Sequence, residues 1–143
     1  MFTETSPAAA ALLLRVTNGV FMLAHAGLKL FVFTPAGTAK FFESLGLPAP
    51  LAYLTIAAEL IGGLMLIAGA YTRQVALGLI PILIGAIVTA HFANGFFYNN
   101  AGGGWEFAAF WALVLAAQAL LGGGAYALTG DAPARAARLA PAE

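Results

Sequence analysis

A chain of 143 residues has room for one ordinary domain, and 62% of its residues are apolar while only 8% are charged. A soluble domain carries about 25% charge, so a water-facing surface could not be covered here, which excludes disorder, a fibre and an ordinary water-soluble enzyme. Six Lys+Arg balance six Asp+Glu and no segment gathers basic residues, so there is no electrostatic footprint for nucleic acid. The chain reads as an integral membrane protein.

There is no cysteine, which excludes disulfides, thiolate zinc sites, cysteine-ligated clusters and thiol chemistry carried by this chain. The start, MFTETSPAAAALLL, holds Glu4 and neither Lys nor Arg. It lacks the basic region of a signal peptide and reads as mature sequence.

Four segments approach the roughly 20 apolar residues that cross a bilayer core: residues 8–33, 51–70, 74–98 and 104–121. Arg15 and Lys29 interrupt the first and Glu59 the second, but their flanks are too apolar for surface helices. Turn signals fall between the spans: Thr34-Pro35-Ala36-Gly37, Pro48-Ala49-Pro50, Ala70-Tyr71-Thr72-Arg73 and Asn99-Asn100-Ala101-Gly102-Gly103. Short connections make consecutive helices antiparallel neighbours. The expected fold is an all-α membrane protein, an up-down bundle of four transmembrane helices over residues 1–130, with a polar, frayed cytoplasmic tail over 131–143.

Between the first two spans, TAKFFESLG (38–46) sets Phe41, Phe42 and Leu45 against Lys40 and Glu43, the pattern of a short interfacial helix. Pro81 lies inside the third span and is expected to kink it. Arg73, Arg135 and Arg138 fall on the side of both termini, whereas Lys40 and Lys29 are the basic residues opposite. The positive-inside bias therefore puts both termini in the cytoplasm and the 34–50 and 99–103 loops outside.

The polar residues within the spans form a pattern. Arg15, Asn18, Met22, His25 and Lys29 are spaced 3, 4, 3 and 4 apart, one stripe of a helix that must face protein. At about 1.5 Å per residue from each outer helix end, His25 and Glu59 lie roughly 12 Å deep, His91 roughly 10 Å, Lys29 and Asn94 roughly 6 Å and Glu106 roughly 3 Å. All four helices thus send ionisable or amide groups into the outer half. Asn18 and Gln118 come out together at roughly 21 to 22 Å, a candidate inner hydrogen-bonding pair with a structural role.

Intramembrane ionisable groups are costly unless paired, which marks them as functional candidates. His25, Glu59, His91 and Glu106 are the candidate catalytic groups; Arg15, Lys29 and Asn94 are the candidates for holding a ligand. The bland readings are interhelical polar contacts, a headgroup-region Glu106 and a Lys29 that snorkels outward. Two imidazoles at one depth on diagonal helices would suit a b-type haem. His25, Glu59 and His91 together would suit a metal. Neither Glu-x-x-His nor His-x-x-x-His accompanies them, so a proton-exchanging or substrate-binding pocket is preferred. Ala24-His25 and Ala90-His91 each precede an aromatic-rich outer loop, a faint two-repeat echo. Gly62-Gly63, and Gly78 with Gly85, are read as sites of close helix approach. Phe96, Phe97, Tyr98 and Trp105 suit an aromatic belt or the wall of an apolar ligand site.

Three features resemble a known family: RVTNGVFMLAHAGLKL (15–30), AAELIGGLMLIAGAYTRQVAL (57–77) and the glutamate of GGGWEF. With the helix count and the Gly122-Gly123-Gly124 ending, they look like the DoxX family of small bacterial four-helix membrane proteins, over most of residues 10–130. The matching positions are Arg15, His25, Gly27, Lys29, Glu59, Gly62, Gly63, Arg73 and Glu106. The Asp that often closes the family's last helix is missing directly after Tyr126-Ala127-Leu128, and Asp131 comes later. The resemblance implies the bacterial inner membrane and quinone-linked redox, relatives including a subunit of thiosulfate:quinone oxidoreductase and proteins tied to oxidative stress and quinone detoxification. No residue here carries thiosulfate chemistry.

On that reading, aromatics wall a quinone in the outer pocket, His25 and Lys29 donate hydrogen bonds to a carbonyl, and Glu59 and His91 relay protons. No flavin or nicotinamide motif is present, so electrons come from a partner redox subunit or bound cofactor. Two rivals stand beside it: a proton-coupled small-solute transporter, which four helices would require to be a homo-oligomer, and a non-catalytic membrane anchor or assembly subunit.

Overall fold

The computed structural model describes residues 6–129, and every regular element among them is helical. Helix α1 spans Pro7–Gly27 and runs on through a π-turn, Leu28–Val32. Then come α2 (Pro35–Ser44), α3 (Pro50–Ala68) and α4 (Thr72–Ala86). A π-turn, Ile87–His91, and a 3-10 turn, Phe92–Asn94, extend α4, and α5 is Glu106–Leu121. Residues 1–5 and the 131–143 tail, with Arg135 and Arg138, lie outside the described residues.

Local chemistry sets the boundaries. Ser6 accepts from Ala9 N–H ahead of Pro7, so α1 starts one residue before its sequence boundary. Thr34 accepts from Gly37 N–H and Pro35 opens α2, which moves this helix three residues upstream of the expected 38–46. Gly69, with φ of 72°, ends α3 in the left-handed conformation, and Ala70 N–H closes on Met65 O at 2.9 Å.

Three helical stretches are long and apolar enough to cross a bilayer: Pro7–Val32, Pro50–Ala68 and Thr72–Asn94. The expected fourth span is α5, whose 16 residues reach about 24 Å. α1 packs on α3, α3 on α4, α4 on α5 and α5 on α1, so the four close a ring with α1 and α4 diagonal, and α2 lies against α3. The ring buries charged and polar side chains beside an apolar core and turns large apolar side chains outward. Arg15 (1% exposed), Glu59 (4%) and Gln118 (0%) are buried, while Phe31 (84%) and Leu113 (70%) face outward, the inverse of a water-soluble surface.

Glycine sets one helix contact closely. A Cβ built on Gly19 would lie 2.6 Å from Ile67 Cγ1 and 2.7 Å from Gly63 O, so α1 and α3 touch backbone to backbone there. Gly62, beside Gly63, faces the Leu79 side chain of α4. Gly78 and Gly85 have nothing within 4 Å of a built Cβ, so the expected close approach does not occur at them.

Cross-bonds fix the α1–α5 register. Trp111 Nε1 donates to Asn18 Oδ1 at 2.9 Å, and Gln118 Nε2, seven residues further along α5, donates to the carbonyl of Ala11, seven residues back along α1. Asn18 and Gln118 are therefore two turns apart, roughly 10 Å along the axis, and do not pair as the depth count expects. The count fails because the helix ends are not level. His25 stacks on Phe107 at the start of α5, so α1 with its π-turn runs on for roughly 10 Å beyond that point.

Candidate functional site

The polar residues sort into three places along the bundle. At the first, Arg15 Nε donates to Gly123 O at 2.8 Å, its two terminal nitrogens to Leu66 O and Ala125 O at 3.0 Å each, and also to Ile67 O. Leu66 and Ile67 belong to the last turn of α3, whose carbonyls lack helical partners and carry the negative end of the helix dipole. The planar guanidinium fork thus ties α3 to the segment after α5. That segment is further held by Ala125 N–H on Ala8 O and Thr129 N–H on Gly69 O. The structure places Arg15 here, roughly 21 Å along α1 from Lys29.

At the second place, Lys29 Nζ lies 2.8 Å from both carboxylate oxygens of Glu59. Cβ atoms of a helix point toward its N-terminus, and Lys29 follows that direction. Taken from the Gly19–Gly63 contact, Lys29 is level with about residue 53 of α3, roughly 9 Å along the axis from Glu59, and the two side chains, each leaning toward its own helix N-terminus, close that offset between them. It does not snorkel outward. One turn away, His25 stacks on Phe107 (ring centroids 6.4 Å, 14° between planes) and leans on Trp111 at 5.1 Å.

The third place is a cleft of about 700 Å³ between the end of α4, the 95–105 loop and the first turns of α5. His91 Nδ1 is 2.9 Å from Gly103 O. That carbonyl accepts only, so in the neutral ring Nδ1 carries the proton and Nε2 keeps its lone pair. Asn94 Nδ2 meets three carbonyls, Ala90, Gly102 and Gly103 at 3.2, 3.0 and 3.0 Å, which fixes its amide orientation. Glu106 Oε1 accepts from Tyr98 N–H at 3.0 Å. Gly102 and Gly103, with φ of 82° and 76°, give the loop the turn that brings these carbonyls round. Phe96, Phe107 and Phe110 supply the apolar wall.

The sequence-predicted residues therefore do not form one cluster. His91, Asn94 and Glu106 come together around the cleft; Lys29 and Glu59 pair on α1 and α3; Arg15 stands alone at the other end. His25 connects the first two of these groups: it lies one turn from Lys29 on α1, and Phe107, on which it stacks, also lines the cleft. Among the described residues no three His, Asp or Glu side chains come together as a metal-ligand set. Phe107 and Trp111 were not singled out by sequence reasoning. Their position four apart on α5, facing the histidine stripe of α1, is the signal that points to them.

The two-repeat echo has a partial structural counterpart. Both α1 and α4 end in π-turns, a feature frequent at functional sites. The π-turn follows His25 in α1 but ends on His91 in α4, so the two are not in the same register.

The DoxX family model matches residues 10–92. A Bacillus subtilis (strain 168) protein named "Putative oxidoreductase CatD" is 43% identical over 88 residues, which cover 62% of this chain and 64% of that relative. The match thus spans somewhat under two thirds of the relative's length. No solved structure matches the chain. The matched residues take in α1, α3 and α4, hence Arg15, His25, Lys29, Glu59 and His91. This chain belongs to the DoxX family.

Proposed function

We propose that this chain is a quinone-linked redox component of the bacterial inner membrane, binding a quinone ring in the cleft beside α5. One observation carries the reading: a single cleft of about 700 Å³ joins a three-phenylalanine wall to two acid–base side chains, His91 and Glu106, each fixed by a backbone bond. A mostly apolar pocket of this size with a few placed polar groups suits a flat aromatic ring. The oxidoreductase name of the Bacillus subtilis relative supports the same class of chemistry.

Reduction of a quinone to a quinol takes two electrons and two protons. On this reading the side chains handle the protons: His91 through Nε2, and Glu106 through the oxygen not bonded to Tyr98, hold or pass a proton at the ring oxygens. Phe107 orients the ring and His25 stands behind it, while Lys29 and Glu59 neutralise each other in the interior of the helix bundle. Asn94 serves the site by holding the 102–103 carbonyls. The electrons come from a partner redox subunit. In this reading α5 is the fourth span, both termini are cytoplasmic and the cleft opens on the outer side.

Both tryptophans report on the cleft wall, Trp105 at 4.8 Å from Phe96 and Trp111 at 5.7 Å from Phe107. Titration of the detergent-purified protein with ubiquinone-1 should quench their fluorescence saturably, and Phe107→Ala should weaken binding at least about tenfold. Quenching that does not saturate, or that is unchanged in Phe107→Ala, rejects the proposal.

A further inference from the structure

Apart from the Tyr98 hydroxyl, the side-chain groups that the cleft offers a ligand are acceptors. Gly103 O cannot donate, so it fixes the proton of neutral His91 on Nδ1 at 2.9 Å and leaves Nε2 as a lone pair. Asn94 Nδ2 donates to the same carbonyl at 3.0 Å, and its other contacts are carbonyls too, so the amide has no spare donor turned to the cleft. Glu106 is the first residue of α5. Its Oε1 accepts from Tyr98 N–H, and its second oxygen has no protein partner among the described residues.

We infer that the cleft selects the reduced, diphenol form of its ring ligand, whose two O–H groups donate to His91 Nε2 and to the free Glu106 oxygen, over the oxidised quinone. The inference rests on the ring-binding reading given above and adds the redox form bound. A quinone has carbonyl oxygens that only accept. Against two acceptors its carbonyls gain no hydrogen bond and meet lone-pair repulsion, so its binding rests on the apolar wall alone, and each unmet acceptor also loses its water. A quinone would have to turn to the Tyr98 hydroxyl or to the first-turn N–H groups of α5, which point along the helix axis. A diphenol meets both side chains, and its hydrogen bond to a carboxylate is of the stronger, charge-assisted kind.

The test is anaerobic isothermal titration calorimetry of the full chain in detergent with four probes: menadiol, its monomethyl ether, its dimethyl ether, and menadione. Each methyl group removes one donor and keeps the ring. Menadiol should bind at least about tenfold more tightly than menadione, with the monomethyl ether between menadiol and the dimethyl ether. In Glu106→Gln, which adds an amide donor where the carboxylate was, the preference for menadiol over menadione should fall at least about threefold. Menadione binding as tightly as menadiol, with no loss across the ether series, overturns this inference and leaves ring binding standing. Saturable binding by none of the four overturns both. The ether series is read on the unaltered protein, so a Glu106→Gln variant that fails to fold does not remove the test.

Discussion

Lys29 reaches inward from α1 to place its ammonium 2.8 Å from both oxygens of Glu59 on α3. Two groups that are each costly inside a membrane thereby become one neutral unit, and the α1–α3 pair gains a polar lock a few turns from its glycine contact. Removing one partner strands the other charge. Lys29→Met and Glu59→Leu should each lower stability by about 3 kcal/mol, measured by SDS unfolding, whereas the double variant should recover most of that loss. A double variant as unstable as the sum of the singles would show that the two act independently.

The backbone contact at Gly19 makes a second prediction, with its control on α4. Gly19→Ala must displace Ile67 or part α1 from α3, and should cost about 1–3 kcal/mol. Gly78→Ala meets nothing within 4 Å and should leave unfolding unchanged. Equal effects at the two sites would mean that the close approach is not what Gly19 provides.

Arg15 uses a planar fork to satisfy carbonyls on two separate segments. Lysine keeps the charge but not the fork. Arg15→Lys should therefore lower stability by about 2 kcal/mol and expose the 122–129 segment to protease, with cleavage mapped by mass spectrometry. Protection equal to the unaltered chain would contradict the tie assigned to Arg15.

How much of this was legible in the sequence follows from what each feature depends on. The stripe Arg15, Asn18, Met22, His25, Lys29 is a matter of helical period, and Arg15, Asn18 and Met22 are indeed buried. Pro7, Pro35 and Pro50 stand at the starts of α1, α2 and α3, each a local signal. Depth was not legible, because it requires level helix ends and α1 runs well past the start of α5. Nor were the partners of Arg15, His91 and Asn94: they are backbone carbonyls, which any residue supplies and no composition reveals. Lys29 and Glu59 could be placed in one half of the bundle from sequence, but not paired, because the depth count set them roughly 6 Å apart and left out the lean of each side chain along its helix.

Trp111 and Asn18 form a bond between two side chains across α1 and α5, with Trp111 also touching the rings of Phe21, His25 and Phe107. Asn18 Nδ2 has no partner. Trp111→Phe keeps an aromatic ring but leaves the whole Asn18 amide unmet, and should cost about 1–3 kcal/mol. Adding Asn18→Leu should then restore part of the loss, read as a double-mutant cycle in SDS unfolding. Additive losses would instead assign the effect of Trp111→Phe to lost packing.

The central claim is that a quinone ring lies against Phe96, Phe107 and Phe110, and photolabelling reads that position directly. After irradiation with an azido-quinone, peptide mass mapping should find the label within residues 96–110, and excess ubiquinone-1 should suppress it. Label concentrated on the Lys29 and Glu59 segments, or label in 96–110 that ubiquinone-1 does not compete away, would contradict the account.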